Sequence, residues 1–208
     1  MESEPNSEDR LRDIILAAGV LQLGEVTFAS GMTANNKLDM SKLFDQEGDR
    51  TGLHAVIAAL GRTANRYKPD ALWGVPTGGQ SFARALGQVL RKPVIDLKKY
   101  QDYTGARRFD YGAEITVGIS GCNRMVGIED VSTTYGSVVG CLQLPELREA
   151  TKAVAVIWSR GEDDPDEIIM PDMRLKIEPL IVRPMPGIMF ESHELYRYGV
   201  RADDDRRL

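Results

Sequence analysis

The stretch MVGIEDVSTTYGS, residues 125–137, indicates the fold of this chain more strongly than any other segment. Apolar and small residues lead directly into two adjacent carboxylates, Glu129 and Asp130, and a loop rich in Ser, Thr and Gly follows. An apolar run that ends in polar residues is typical of a buried parallel strand whose carboxyl end opens into a ligand crevice. The pattern therefore predicts an α/β fold with a binding site at the end of this strand.

The residues after this strand have the chemistry of a sugar-phosphate site. Backbone N–H groups of a tight turn, assisted by Ser and Thr hydroxyls, can cradle a phosphate. Two carboxylates at a strand end can accept hydrogen bonds from vicinal ribose hydroxyls and stabilise a sugar carbon that becomes cationic. The alternative interpretation is an ordinary polar turn after a strand.

Helical and strand patterns alternate along the rest of the chain. Apolar residues recur at helical spacing in three segments (11–18, 53–60 and 82–90), and four segments are strand candidates (71–75, 93–97, 125–128 and 153–158). Strands separated by helices predict a parallel sheet with helices on its faces. Pro145 interrupts the helix expected after residue 137, and we expect a kink or a new helix start there.

Length, charge and composition limit the class of protein. With 208 residues, 42% of them hydrophobic, the chain is long enough for one domain with a sizeable core. A net charge of −5 gives no electrostatic reason to expect a nucleic-acid partner. The N-terminus is acidic and polar, unlike a signal peptide, and no apolar run approaches the roughly 18 residues of a membrane span. We therefore expect a cytoplasmic protein.

A second glycine-bearing turn follows an earlier strand candidate. Thr77, Gly78 and Gly79 come just after the strand predicted at residues 71–75. A glycine turn lets the backbone approach an anion closely, because no Cβ stands in the way. Turns of this composition are common, so the Thr-Gly-Gly turn indicates a binding site only in combination with the motif at residues 125–137.

Residues 129–137, EDVSTTYGS, resemble the phosphoribosyl pyrophosphate (PRPP) motif of type I phosphoribosyltransferases, most closely the E-D-V-x-T-T-G-G-S of orotate phosphoribosyltransferases. The Thr-Gly-Gly turn resembles the loop that contacts pyrophosphate in the same family. Ser132 replaces an aliphatic residue of the motif, and Tyr135 replaces a glycine. Because tyrosine adopts a positive φ only at a cost that glycine avoids, the resemblance does not define the loop geometry at Tyr135.

The resemblance implies one phosphoribosyltransferase-like domain over residues 1–208, a parallel sheet flanked by helices. A small hood would come from residues 1–45, with or without C-terminal residues. The core would span 50–160, and residues 161–208 would form an extension of unassigned role.

The implied activity is transfer of the phosphoribosyl group from PRPP to a nitrogenous base. Orotate is the base that the resemblance favours, giving orotidine 5′-monophosphate and pyrophosphate in pyrimidine biosynthesis. Mg²⁺ is the implied cofactor, held by Glu129 and Asp130 directly or through water, and a homodimer is the implied assembly.

The resemblance also assigns roles to individual residues. It makes Asp130, Glu129 and Lys99 catalytic. It places Thr133 and Arg160 at the base, with Arg160 pairing with the orotate carboxylate. The residues that it places at PRPP are Thr77, Gly78, Gly79, Lys98, Lys99, Glu129, Asp130, Val131, Ser132, Thr133, Thr134, Tyr135, Gly136 and Ser137.

The loop KKYQDYTGARR, residues 98–108, matches the family least well. In the family this is a mobile loop whose cations close over the pyrophosphate, commonly in the neighbouring subunit of a dimer. The opening pair of lysines is present, but Asp102 and Thr104 stand where the family has lysine and histidine. Arg107 and Arg108 are candidates for restoring the lost positive charge.

Two alternatives stay open within the resemblance. A non-catalytic regulator that keeps the pocket as a PRPP or nucleotide sensor would explain the altered loop. The other alternative is phosphoribosyl transfer to a purine or nicotinate-like base, because Ala34-Asn35-Asn36 replaces an aromatic segment that helps enclose the base. Thr133 argues against a purine, since purine-specific relatives often carry Asp there. A covalent hydrolase or a dehydrogenase has no support, because the chain lacks a G-x-S-x-G elbow and a G-x-G-x-x-G turn.

Overall fold

The computed structural model describes residues 7–27, 33–45, 48–112, 121–132, 134–160 and 166–183. The elements in chain order are α1 (Ser7–Ala17), β1 (Leu21–Thr27), β2 (Thr33–Leu38), the 3₁₀ helix η1 (Met40–Leu43), α2 (Thr51–Asn65), β3 (Ala71–Gly74), α3 (Gly78–Leu90), β4 (Val94–Ile95), β5 (Leu97–Gln101), β6 (Arg107–Tyr111), β7 (Met125–Ser132), α4 (Gly136–Cys141), α5 (Pro145–Ala150), β8 (Thr151–Ser159), β9 (Glu167–Met170) and β10 (Met173–Val182). None of these helices is long and apolar enough to cross a membrane.

The centre of the described structure is a six-stranded sheet with the strand order β4-β3-β7-β8-β10-β9. The first five strands run parallel, and β9 pairs antiparallel with β10. Parallel neighbours need crossover connections, which α3 provides between β3 and β4 and the α4–α5 pair provides between β7 and β8. The sheet confirms the predicted α/β class. It also brings the carboxyl ends of β3, β7 and β8 to one edge, where ligands bind in such folds.

Two apolar clusters cover the two faces of the sheet. On one face, α1, α2 and α3 contribute Ile15, Leu60 and Leu86 to the core. On the other face, α4 and α5 contribute Val138 and Leu147. Because both faces are covered, the central strands are almost wholly apolar until they reach the functional edge.

The helical spacings predicted the core-facing sides of the three helices, although Leu11, Ile14, Ala18 and Leu90 are only half-buried. Phe82 and Leu86 of α3 are buried as expected, but Val89, which the same spacing places in the core, is 66% exposed. Val89 lies in the last turn of α3, and β4, the strand that follows, is only two residues long and forms the edge of the sheet. Pro145 starts α5, so the expected new helix start is confirmed and the kink is not.

Three of the four strand candidates correspond to strands of the main sheet with shifted ends. The fourth, at residues 93–97, contains the two-residue strand β4 of that sheet and the first residue of the hairpin strand β5. The strand expected at residues 125–128 continues as β7 to Ser132, through both carboxylates. The β1–β2 pair, the β5–β6 hairpin and the β9–β10 pair were not predicted. Strand β10 lies next to β8, so part of the segment expected to be an extension forms a strand of the main sheet. The division into hood, core and extension stays a prediction.

Candidate active site

The turn after β3 lies directly against the end of β7. A Cβ on Gly78 would overlap the Asp130 carboxylate, and a Cβ on Gly79 would overlap the carbonyl oxygen of Ile128. Only glycine allows so close an approach of two backbone segments. The two motifs found in the sequence therefore form one site.

A cavity of about 410 Å³ opens beside this contact. Three of the predicted site residues line it, namely Thr77, Gly78 and Asp130. The remaining lining residues come from β2, η1 and their neighbours and from α3: Lys37, Leu38, Asp39, Met40, Ser41, Phe44, Ser81 and Phe82. The role of Lys37, the one cation among the lining residues, was not predicted from the sequence.

Asp39 also lines the cavity and is held by several hydrogen bonds. Its carboxylate accepts hydrogen bonds from Ser41 N at 3.2 Å, from Ser41 Oγ at 2.6 Å and from Gln22 Nε2 at 3.2 Å. The bond from the Ser41 hydroxyl is the main reason that the pKa of Asp39 is lowered. Lys37 Nζ lies 3.7 Å from Asp39 Oδ2. Lys37 therefore lies at the cavity as a cation that is ion-paired with Asp39.

The two adjacent carboxylates have different surroundings. Successive side chains of a strand start out towards opposite sides, but the carboxyl groups of Glu129 and Asp130 are still close enough to share a hydrogen bond. Asp130 faces the cavity, whereas Glu129 is only 6% exposed and interacts with Lys99 and Cys141. Burial and the neighbouring Asp130 raise the pKa of Glu129 well above its ordinary value, and Lys99 opposes this rise. Burial also raises the pKa of Asp130. Such a pair favours a cation or hydroxyl donors as its partner.

The β5–β6 hairpin packs on α4 and α5 of its own chain. A Cβ on Gly140 would overlap the ring of Phe109, so this glycine makes room for the hairpin. Tyr111 donates a hydrogen bond from its hydroxyl to Glu146 Oε2 at 2.9 Å. Burial, followed by this bond, raises the pKa of Tyr111.

The two lysines of the hairpin lie in different environments. Lys98 Nζ lies 3.5 Å from Asp110 Oδ2 across the hairpin. Lys99, the next residue, lies close enough to Glu129 to stabilise its carboxylate form. Of the two lysines predicted to contact PRPP, Lys99 is therefore the one that the fold connects with the acidic pair.

Asp102 organises the turn of the hairpin. It accepts hydrogen bonds from Thr104 N at 2.9 Å, Thr104 Oγ1 at 2.6 Å, Ala106 N at 3.0 Å and Arg108 Nε at 2.8 Å. These bonds, with the Thr104 hydroxyl first, hold the pKa of Asp102 well below its usual range. The charge of Arg108 is thus balanced within the hairpin. Of the two arginines considered as replacements for the family's cations, Arg107 has no ion pair among the described residues.

Tyr135 occupies the left-handed region of backbone conformation, at φ 57° and ψ 11°. Its main-chain N–H donates to Ser132 Oγ at 3.1 Å, and its buried hydroxyl donates to Ser159 Oγ at 3.0 Å. A left-handed conformation costs a residue other than glycine about 1–2 kcal/mol. The contacts of this side chain offset that cost and hold the loop in place.

The other residues of the PRPP motif differ in their exposure. Val131 packs against the apolar core. Thr134 and Gly136 are exposed, and Ser137 is half-buried, so this part of the loop is accessible to a ligand. Thr133, predicted to contact both PRPP and the base, lies outside the described residues.

Arg160 is a buried cation with no carboxylate partner among the described residues. It is 7% exposed, and its Nη2 donates to Asn36 Oδ1 at 2.9 Å. Its main-chain N–H donates to the carbonyl oxygen of Ser132 at 2.8 Å, which places it beside the PRPP motif. Its Nε is buried and has no hydrogen-bond partner in the described structure. Burial lowers the pKa of Arg160 to about 10, so the guanidinium stays charged at neutral pH. An unpaired buried donor is costly, and an anionic ligand would satisfy it.

The acidic pair suits Mg²⁺ arriving with a substrate. In the described part of the chain, no group of three or more His, Cys, Asp or Glu is arranged so that it could hold a metal ion by itself. Mg²⁺ prefers oxygen ligands and keeps waters or substrate phosphates among them, so it needs only one or two protein carboxylates. Glu129 and Asp130 fit that requirement.

Several proteins with similar sequences are named orotate phosphoribosyltransferase. The orotate phosphoribosyltransferase of Pyrobaculum islandicum is 30% identical over 143 residues, which cover 69% of this chain and 70% of that protein. The chain belongs to the orotate phosphoribosyltransferase family. The family expected from the PRPP motif is therefore confirmed, although no protein-family model matches the chain.

Solved structures show that the orotate phosphoribosyltransferase family shares its fold with other phosphoribosyltransferases. The crystal structure of orotate phosphoribosyltransferase from Aeropyrum pernix has a TM-score of 0.63 and 20% identity, covering 83% of this chain and 93% of that one. Adenine phosphoribosyltransferase from Leishmania donovani has a TM-score of 0.53 and 18% identity, covering 85% and 81%. At these identities the likeness shows the fold alone, so the base has to be inferred from the site.

Proposed function

We propose that the protein transfers the phosphoribosyl group of PRPP to orotate, giving orotidine 5′-monophosphate and pyrophosphate. Membership of the orotate phosphoribosyltransferase family supports this reaction. The observation that carries the choice of base is Arg160, whose buried guanidinium has no carboxylate partner among the described residues. Orotate brings a carboxylate, which uracil and adenine lack. The guanidinium matches that group in charge and in planar geometry.

In the proposed reaction, the C1–O bond of PRPP breaks and its electron pair leaves on pyrophosphate. A ring nitrogen of orotate forms the new C1–N bond and gives up its N–H proton to the leaving pyrophosphate or to water. Asp130 faces the cavity and would stabilise the positive charge that develops on the ribose carbon. The backbone at Thr77 and Gly78 would hold the pyrophosphate. Lys99 would balance its growing negative charge. Most of the catalysis would then come from positioning and from fixed charges.

Glu129 and Asp130 would hold Mg²⁺, directly or through water. When bound with PRPP, Mg²⁺ neutralises part of the diphosphate charge. The closeness of the two carboxyl groups supports this assignment, because a bound cation offsets the repulsion between neighbouring negative charges. The proposal also includes the homodimer implied by the resemblance. Light scattering on the purified protein measures the molar mass and so tests this assembly.

Replacement of Arg160 by alanine tests the choice of base. Loss of one partner of a buried charge pair costs about 2–5 kcal/mol. We expect kcat/KM for orotate to fall at least about tenfold in Arg160→Ala, whereas the value for uracil should barely change. Arg66→Ala is the control, because Arg66 pairs with Glu178 at 2.7 Å, outside the site. Steady-state rates with both bases provide the measurement.

The outcomes of this test separate the alternatives. Equal losses with orotate and uracil would mean that Arg160 has a structural role only. Use of a purine or of nicotinate by the unaltered protein, with no use of orotate, would assign it to another base specificity of the same fold.

A PRPP sensor without turnover is the second candidate function, and the hairpin favours it. Asp102 pairs with Arg108, and Asp110 pairs with Lys98, so carboxylates of the hairpin balance much of its positive charge. A sensor would bind PRPP in calorimetry but release no pyrophosphate with any base. An enzyme would do both.

A further inference from the structure

Three residues at the functional edge form one hydrogen-bonded network. Ser132 ends β7 and Ser159 ends β8, and the two are paired in the register of these parallel strands. Tyr135 joins them, since its N–H donates to the hydroxyl of Ser132 and its own hydroxyl donates to that of Ser159. All three residues are buried, with exposures of 5% or less.

Tyr135 is also tied to the helix that follows. Its carbonyl oxygen accepts a hydrogen bond from Val139 N at 3.0 Å, in the first turn of α4. The main-chain N–H, the main-chain carbonyl and the side-chain hydroxyl of this one residue are therefore each bonded to a different element. At this left-handed position a glycine would be free to move, whereas the tyrosine is fixed by its side chain.

We infer that Tyr135 is a positioning residue for PRPP. Its anchored side chain fixes residues 134–137, so that the exposed Thr134 and Gly136 meet the ligand in one geometry. A loop that is already ordered loses less conformational entropy on binding. This inference rests on the proposed function and deepens it. It assigns a binding role to a hydrogen bond between Tyr135 and Ser159, two residues with no direct part in the chemistry.

The test removes one hydroxyl at a time. Tyr135→Phe and Ser159→Ala each delete one partner of the bond, and the double variant deletes both. Tyr67→Phe is the matched control, because the Tyr67 hydroxyl donates to Glu178 outside the site. Calorimetry with PRPP and Mg²⁺ gives the dissociation constant, thermal melting gives the stability, and steady-state kinetics give KM and kcat.

We expect the PRPP dissociation constant to rise about fivefold in each single variant, the scale of one hydrogen bond. The double variant should resemble the single ones, because both changes remove the same bond. The KM for PRPP should rise more than kcat falls. Tyr67→Phe should lower the melting temperature without changing PRPP affinity.

Two results would overturn the inference while the proposed function stands. One is unchanged PRPP affinity in both single variants despite lower melting temperatures, which would make Tyr135 an ordinary core residue. The other is a fully additive loss in the double variant, which would mean that the two residues act separately. If Tyr135→Phe does not fold, Ser159→Ala decides the question. Absence of PRPP binding by the unaltered protein would instead overturn the proposed function, and this inference with it.

Discussion

The two regions proposed to contact PRPP are built in different ways. At the edge of the sheet, the backbone of Gly78 lies against the Asp130 carboxylate with no room for a methyl group. In the β5–β6 hairpin, the cations are exposed, and Lys98 and Arg108 are each paired with a carboxylate of the same hairpin.

Packing determines the geometry at the edge of the sheet, whereas charge determines how the hairpin interacts with a ligand. The edge of the sheet is continuous with the closely packed core. Adding or removing even one methyl group there displaces neighbouring atoms that have little free space to move into. The hairpin lies on the surface, where ion pairs contribute little individually and neighbours can adjust. We therefore expect large effects of mutation at the edge and smaller, residue-specific effects in the hairpin.

The largest effect should come from Asp130→Asn. The substitution keeps the shape of the side chain but removes the charge that faces the cavity. A loss of about 10²–10³ in kcat is the scale for one preorganised electrostatic group. Asp172→Asn, on the turn between β9 and β10, is the control and should keep full turnover. Near-normal kcat in a folded Asp130→Asn protein would remove this carboxylate from the mechanism.

Gly78→Ala should have the next largest effect, because its methyl group would overlap the Asp130 carboxylate. Displacing a catalytic group by about 1 Å can cost up to a hundredfold, and we expect a loss of about ten- to a hundredfold in kcat/KM. Gly121→Ala is the control, since a Cβ there meets nothing within 4 Å. Equal activity of the two variants would show that the Gly78 contact does not position Asp130.

The smallest effects should come from the hairpin, and they should differ between its neighbouring lysines. Lys99→Ala should lower kcat about tenfold, or 1.4 kcal/mol, while changing the PRPP dissociation constant less, because charge on the leaving group grows as the C1–O bond breaks. Lys98→Ala should cost less, since Lys98 is paired with Asp110. Equal losses in both variants would contradict the distinction between the two lysines.

Hybrid dimers of two co-expressed variants show whether Lys99 acts at the active site of its own subunit or at that of the neighbouring subunit. The electrostatic interaction of Lys99 with Glu129 within one chain predicts that hybrids of Lys99→Ala and Asp130→Asn subunits are no more active than the Lys99→Ala parent. Restored activity would instead place Lys99 at the neighbouring subunit's site, as the family resemblance implies.

Much of the fold was predictable because its signals are local. A strand buried on both faces has to be apolar along its length, so β7 and β8 were visible in the sequence. Carboxyl ends of neighbouring parallel strands lie together, which explains why the Thr77–Gly78 turn lies beside Asp130. Glycine is needed where two backbone segments are in contact, and the sequence has glycine at such a position, Gly79.

The parts that were not predicted depend on contacts between distant residues. Lys37 belongs to the cavity only because β2 and η1 fold over α3, and nothing near it in sequence indicates this. The partner of Tyr135 is Ser159, which is 24 residues away in sequence. The hairpin pairs its own charges, so counting its arginines overestimated the positive charge available to a ligand.

Release of pyrophosphate by the unaltered protein tests the central claim most directly. The protein would be supplied with PRPP and Mg²⁺, and with orotate, uracil, adenine or nicotinate in turn. We predict that pyrophosphate appears with orotate alone, in an amount equal to the orotidine 5′-monophosphate formed. Release with a different base and not with orotate, or PRPP binding without release for any base, would contradict the account.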